Sequence, residues 1–191
     1  MENLTLPKQK TSEKGETMRK TILIAIIASS LFLNSSQAFA LFNFSAGVPL
    51  SHSFADTDVA ESDGVSGVFI QVGLPLLPGV GMDSYKTKIK DSEIHLATMI
   101  YNLYYLLPIP IINLTVGGGI GSTELECTVC SDAFDKGNAT QWYASFGFPI
   151  IPLFDLHLSY RSVSTKIKRI SDNQELDLSG NVMGLGIGFN F

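Results

Sequence analysis

The residues best suited to chemistry crowd one short stretch, Asp155-Leu-His157-Leu-Ser159-Tyr-Arg161. If that stretch is a β-strand, alternation puts Asp155, His157, Ser159 and Arg161 on one face. A His beside a Ser, with a carboxylate orienting the His, is the arrangement that activates a serine for acyl transfer. Asp155 and Glu93 are the candidate carboxylates. A plainer role competes with catalysis. Lys86, Lys88, Glu93, Asp155, His157 and Arg161, with His95 beside them, have the charges to form a polar network in an enclosed space, where each charge needs a partner. The network is the expected role, so no catalytic residue is assigned.

Cys127-Thr-Val-Cys130 is a second constellation. In a reducing compartment this spacing suggests redox chemistry or zinc. Zinc would need further ligands, and no His or other Cys lies nearby. In an oxidising compartment a local disulfide is expected instead. Closing so short a loop removes little chain entropy, so the bond should shape its loop more than stabilise the fold. Asp56, Asp58, Glu61 and Asp63 crowd together before Gly64. Their spacing is not that of an EF-hand, and a solvated acidic loop is expected. The glycine runs at 117–121 and 184–188 lead into no helix, so they are not phosphate cradles. No metal or cofactor is expected.

The element that decides the class of protein is the final segment, Asn181-Val-Met-Gly-Leu-Gly-Ile-Gly-Phe-Asn-Phe191. Met183, Leu185, Ile187, Phe189 and Phe191 fall on one face and Val182, Gly184, Gly186, Gly188 and Asn190 on the other. Strict alternation means a β-strand. A water-soluble barrel packs its apolar face inward and shows charge outside. Here the second face has almost no side chain and no charge. It suits the crowded lumen of a narrow barrel whose bulky apolar groups point into lipid.

Export is a precondition, and the N-terminus supplies it. Met18-Arg19-Lys20 precedes an apolar run from Thr21 to Leu33, then Asn34-Ser-Ser-Gln37 and Ala38-Phe39-Ala40. This is the pattern of a secretory signal, with cleavage expected between Ala40 and Leu41. The run is too short for a membrane anchor, which needs about 20 residues. Residues 1–40 are therefore read as an extension and cleaved signal, and 41–191 as one barrel domain. The chain's formal charge is −5, and segment 1–40 holds five basic and three acidic residues, so the remainder is more acidic still. That balance argues against nucleic acid as a partner.

Six of the eight prolines form three clusters: Pro75-Leu-Leu-Pro78, Leu107-Pro108-Ile-Pro110 and Pro149-Ile-Ile-Pro152. Proline cannot donate to a strand ladder, so each cluster should mark strand ends. The apolar character of these turns fits a position at the membrane interface. Longer polar segments alternate with them, near 50–64, 88–92, 122–140 and 168–178. Eight strands are expected at 41–49, 65–75, 80–89, 93–106, 111–122, 140–149, 153–167 and 179–191. Strands five to seven share the sorting of the last, with Asn113, Thr115, Gly117, Gln141, Tyr143, Ser145, Asp155 and His157 turned to the lumen. The expected fold is all-β, an eight-stranded antiparallel up-and-down transmembrane barrel. Aromatics near strand ends, Trp142 and Phe154 among them, would form interfacial girdles.

Taken together, these features resemble the small eight-stranded bacterial outer-membrane barrels, similar to the transmembrane domain of outer-membrane protein A. Short uncharacterised outer-membrane barrels with Pro-Leu-Leu-Pro turns are also similar. Gly186, Phe189 and Phe191 match the C-terminal assembly signal of that family, with Gly184 where a polar residue is usual. The resemblance implies residence in the outer membrane, contact with its lipids and lipopolysaccharide, help from the barrel-insertion machinery, and a monomer. It implies a structural, adhesive or surface-recognition role, since the interior at this strand number holds only side chains. The pair His157 and Ser159 resembles that of lipid A deacylases, which suggests an outer-membrane lipid A-modifying hydrolase as an alternative. Tyr160-Arg161 departs from the motif that follows the Ser in those enzymes. A narrow channel or transporter for small apolar molecules, and a soluble lipocalin-like carrier, are further alternatives.

Overall fold

The computed structural model describes residues 42–74, 76–107, 109, 112–151 and 153–190. The expected cleavage boundary at Ala40 and Leu41 lies outside them, as does Phe191. Alternating apolar and small or polar residues produce eight long strands: β1 (Asn43–Phe54), β2 (Ser62–Gly73), β3 (Gly79–Ile89), β4 (His95–Leu107), β5 (Asn113–Glu126), β6 (Gly137–Ile151), β7 (Phe154–Lys168) and β9 (Gly180–Asn190). A three-residue strand β8 (Glu175–Asp177) pairs with the loop-side end of β7, and a single helical turn α1 (Cys130–Ala133) lies between β5 and β6.

Each of the eight long strands pairs antiparallel with its neighbours, β9 with both β7 and β1, and the pairing of β6 with β7 closes the sheet into a barrel. Closure leaves no unpaired edge among the long strands, as a wall in hydrocarbon requires. Connections of two to five residues join the strands at one end; at the other, three loops of seven to eleven residues accompany a five-residue link between β3 and β4. Two prolines sit within strands rather than beyond them. Pro49 and Pro149 each lie at a register shift, where the missing N–H costs no ladder bond. For that reason β1 runs past the expected end at 49 to Phe54, and β6 past 149 to Ile151.

The two faces are sorted as the last strand implies. Met183, Leu185 and Ile187 are exposed on the outer wall, along with Leu156, Leu158, Trp142, Phe146, Ile120, Leu103, Tyr101 and Ile70. An aqueous surface would not carry so continuous an apolar belt. Inside, Asn102, Asn113, Thr115, Gln141, Ser145, Asp155, His157, Ser159 and Arg161 are buried. No described helix is long and apolar enough to cross a membrane.

Candidate functional site in the barrel lumen

Arg161 is the centre of the lumen, only 2% exposed, and its Nε donates to Asp83 Oδ2 at 3.0 Å. The pair spans the barrel, because β3 and β7 are not neighbours in the sheet. Gln141 Nε2 donates to the same carboxylate oxygen at 2.6 Å and to Asn102 Oδ1 at 2.7 Å. The guanidinium also lies over Phe69, 3.5 Å from the ring centroid, with Tyr143 on another side at 5.1 Å. A planar, weakly hydrated cation suits such a slot between rings. Its Nη1 donates to Ser159 Oγ. The charge is therefore neutralised by one carboxylate and held by hydrogen bonds and aromatic faces, the conditions under which a buried ion is tolerated.

Toward the turn side, Ser45 donates to Gln71 Oε1 at 3.0 Å, and Gln71 donates to Tyr143 Oη at 2.7 Å. Asn113 donates to Asp155, and Tyr104 donates to Asn43 Oδ1 at 3.3 Å. A cavity of about 20 Å³ beside Ser45, Ser145, His157 and Ser159 is room for about one water. Toward the loops, Phe69, Tyr85, Ile100, Ala139, Val163 and Val182 pack together, and above them Phe54, Ala60, Leu96, Leu125, Cys130, Ile167 and Leu178 form an apolar plug.

The glycine-rich face now has a steric reason. A Cβ on Gly117 would come within 2.5 Å of the Tyr143 ring, and one on Gly147 within 2.7 Å of His157 Cε1. Gly188 faces the other edge of the same imidazole, and Gly184 faces the Phe69 ring. Large lumen side chains thus pack onto bare backbone, which keeps a narrow barrel filled without clashes.

The structure divides the charged residues expected to line the lumen. Asp155, His157 and Arg161 are inside and buried. Lys86, Lys88 and Glu93 are not, and this is a correction. Lys86 pairs with Glu126 at 2.6 Å on the outer wall near the loops, and Lys88 with Glu93 at 3.8 Å, the latter 94% exposed. There the wall stands clear of the apolar belt, so charge can face outward into water. The inward residues of β3 are Asp83, Tyr85 and Thr87. Asp83, the partner of Arg161, is absent from the expected network, although its alternation with Gly81 and Tyr85 carries the signal. His95 is half-buried at the start of β4.

His157 and Ser159 share the lumen face but do not form the nucleophile pair. His157 Nδ1 lies 3.4 Å from Ser145 Oγ, while Ser159 Oγ donates to the Gly184 carbonyl at 3.3 Å and accepts from Arg161. Cys127 and Cys130 are joined by a disulfide, with Cys130 buried in the apolar plug. Among the described residues no group of acidic, His or Cys side chains is placed to hold a metal. Of the expected assembly signal, Gly186 lies on the lumen side of β9, and the Phe189 ring packs against Phe154 at 4.8 Å and Phe44 at 6.2 Å.

No protein-family model matches the chain, and no curated protein matches it. Solved structures do. Neisserial surface protein A is 14% identical, with 78% of this chain and 97% of that one covered and a TM-score of 0.56. The N-terminal β-barrel domain of Pseudomonas aeruginosa OprF is 13% identical, with 80% and 98% covered and a TM-score of 0.52. At these identities the likeness is one of fold. The chain has the closed eight-stranded antiparallel barrel of small outer-membrane proteins.

Proposed function

We propose that this protein is a closed barrel of the bacterial outer membrane that acts through its surface, as structural support or in adhesion or recognition by its loops. The observation that most supports this is the filled centre, where Arg161, Asp83, Gln141 and Asn102 hold one another across the lumen. Solute passage would require separating that ion pair, leaving each charge buried and uncompensated. The apolar plug beneath the loops closes the next layer. Its expected surroundings are outer-membrane lipids and lipopolysaccharide, with the barrel-insertion machinery as a partner during assembly and a monomer as the resident form. Planar-bilayer recording tests the proposal. The reconstituted mature chain is expected to give no resolved current steps, and reproducible unitary conductance would overturn it.

A lipid A-modifying hydrolase is the competing reading, and His157 beside Ser145 is the observation in its favour. Against it, both side chains face the lumen, away from lipid substrate. Lipid A from cells carrying the unaltered protein or His157→Ala is expected to be identical by mass spectrometry. Loss of an acyl chain only with the unaltered protein would establish the hydrolase.

A further inference from the structure

On several strands the apolar band of the outer wall is short, although on β4 it extends from Met99 to Leu107. On β9 it runs from Met183 to Phe189, on β7 from Phe154 to Tyr160 and on β5 from Leu114 to Ile120, after which Asn181, Ser162 and Ser122 follow toward the loops. Six residue steps at about 3.3 Å and a tilt of about 40° rise about 15 Å, and the eight steps on β4 about 20 Å, against a band of about 25 Å on outer-membrane barrels. The loop-side rim does not supply the difference, because Lys86, Glu124 and Lys166 form ion pairs on that outer surface.

The turn-side end has what is missing. Leu76, Leu77, Ile109, Ile150, Ile151 and Leu153 are exposed there and continue the wall. Segments 72–82, 107–112 and 149–153 contain no Asp, Glu, Lys, Arg or His. Leu76 is the sharpest case. It has φ 65° in a turn closed by Leu77 N–H donating to Leu74 O at 3.2 Å, a conformation that favours glycine. Its side chain is 71% exposed. Neither the backbone nor water favours leucine at that position, whereas hydrocarbon does.

We propose that the three turns are sunk in the acyl chains of the adjacent phospholipid leaflet, where they complete the lipid-facing band and set the barrel's height in the bilayer. The mismatch between a short strand band and a thicker membrane is met by the protein's own turns rather than by thinning the bilayer. This rests on the membrane placement proposed above, and the experiment separates the two.

Trp142 is the single tryptophan of the chain. In a Trp142→Phe background, Leu76→Trp, Ile109→Trp and Ile150→Trp each place one reporter in a turn, and Phe146→Trp places one on the wall. Each full mature chain is refolded into phosphatidylcholine vesicles and its folding checked by heat-dependent gel mobility. Lipids brominated at defined acyl positions and aqueous acrylamide serve as quenchers. The turn reporters are expected to be quenched by brominated lipid and protected from acrylamide several-fold relative to free tryptophan. Free access of acrylamide to all folded turn reporters, with Phe146→Trp still protected, would overturn the inference and point to a thinned bilayer or a water-borne partner. Open access at Phe146→Trp as well would overturn the membrane placement itself.

Discussion

Arg161 Nε and Asp83 Oδ2 lie 3.0 Å apart across the middle of the lumen, the two residues 78 positions apart in the chain. Each side chain is almost wholly shielded, at 2% and 0% exposure. Removing one partner strands the other charge. Arg161→Ala or Asp83→Ala is expected to destabilise the barrel by about 3–5 kcal/mol. The double variant Arg161→Met with Asp83→Leu removes both charges at once and should cost less than either single change. Urea unfolding in vesicles, followed by gel mobility, measures all three. A single variant as stable as the parent would show that the pair contributes nothing.

His157 is clasped by glycines on two strands, Gly147 on β6 and Gly188 on β9. An added methyl on either side meets the ring, and the opposite glycine's strand blocks its retreat. Gly188→Ala is expected to cost about 1–3 kcal/mol through overpacking. In the His157→Ala background the same change should cost little, so a double-mutant cycle should be strongly non-additive. Additive effects would mean that the ring is free to move aside.

The two cysteines of the loop differ in surroundings, since Cys130 is buried in the apolar plug and Cys127 only partly so. Loss of the cross-link alone should cost at most about 2 kcal/mol for so short a loop. Cys130→Ser also buries a hydroxyl among apolar groups and should therefore cost more than Cys127→Ser. Limited proteolysis of the segment between β5 and β6 measures the difference. Equal cleavage rates would show that the plug does not depend on Cys130.

Outside the membrane, the Asp177 carboxylate accepts from the Ser179 backbone N–H at 3.0 Å. Hydrogen bonds from the Ser179 hydroxyl and backbone hold its pKa below the ordinary value of 3.8. A lowered carboxylate pKa adds stability that is complete above the ordinary value and lost as pH falls below it. Amide exchange at Ser179 should thus accelerate, beyond its intrinsic pH trend, as pH drops below that value. Asp177→Asn should remove this dependence. A pH response unchanged in Asp177→Asn would assign it to another group.

The outward face of β9 and the inward residues of β5, β6 and β7 were legible because period two sorts large apolar groups from small and polar ones on each of these strands. The sequence by itself thus determined the class of fold and which way each of those strands faces. It misled at β3, where Lys86 and Lys88 share a face. The rule that charge turns inward holds only where hydrocarbon surrounds the wall, and those lysines stand above it, paired with Glu126 and Glu93. It was silent at β4, whose inward Leu96 and Ile100 join apolar clusters within the barrel and so erase the contrast between faces. Only the tertiary structure decided that Asp83, Asn102 and Gln141 meet Arg161. Four strands supply those residues, and the stagger of the closed sheet, which no local pattern encodes, brings them to one height.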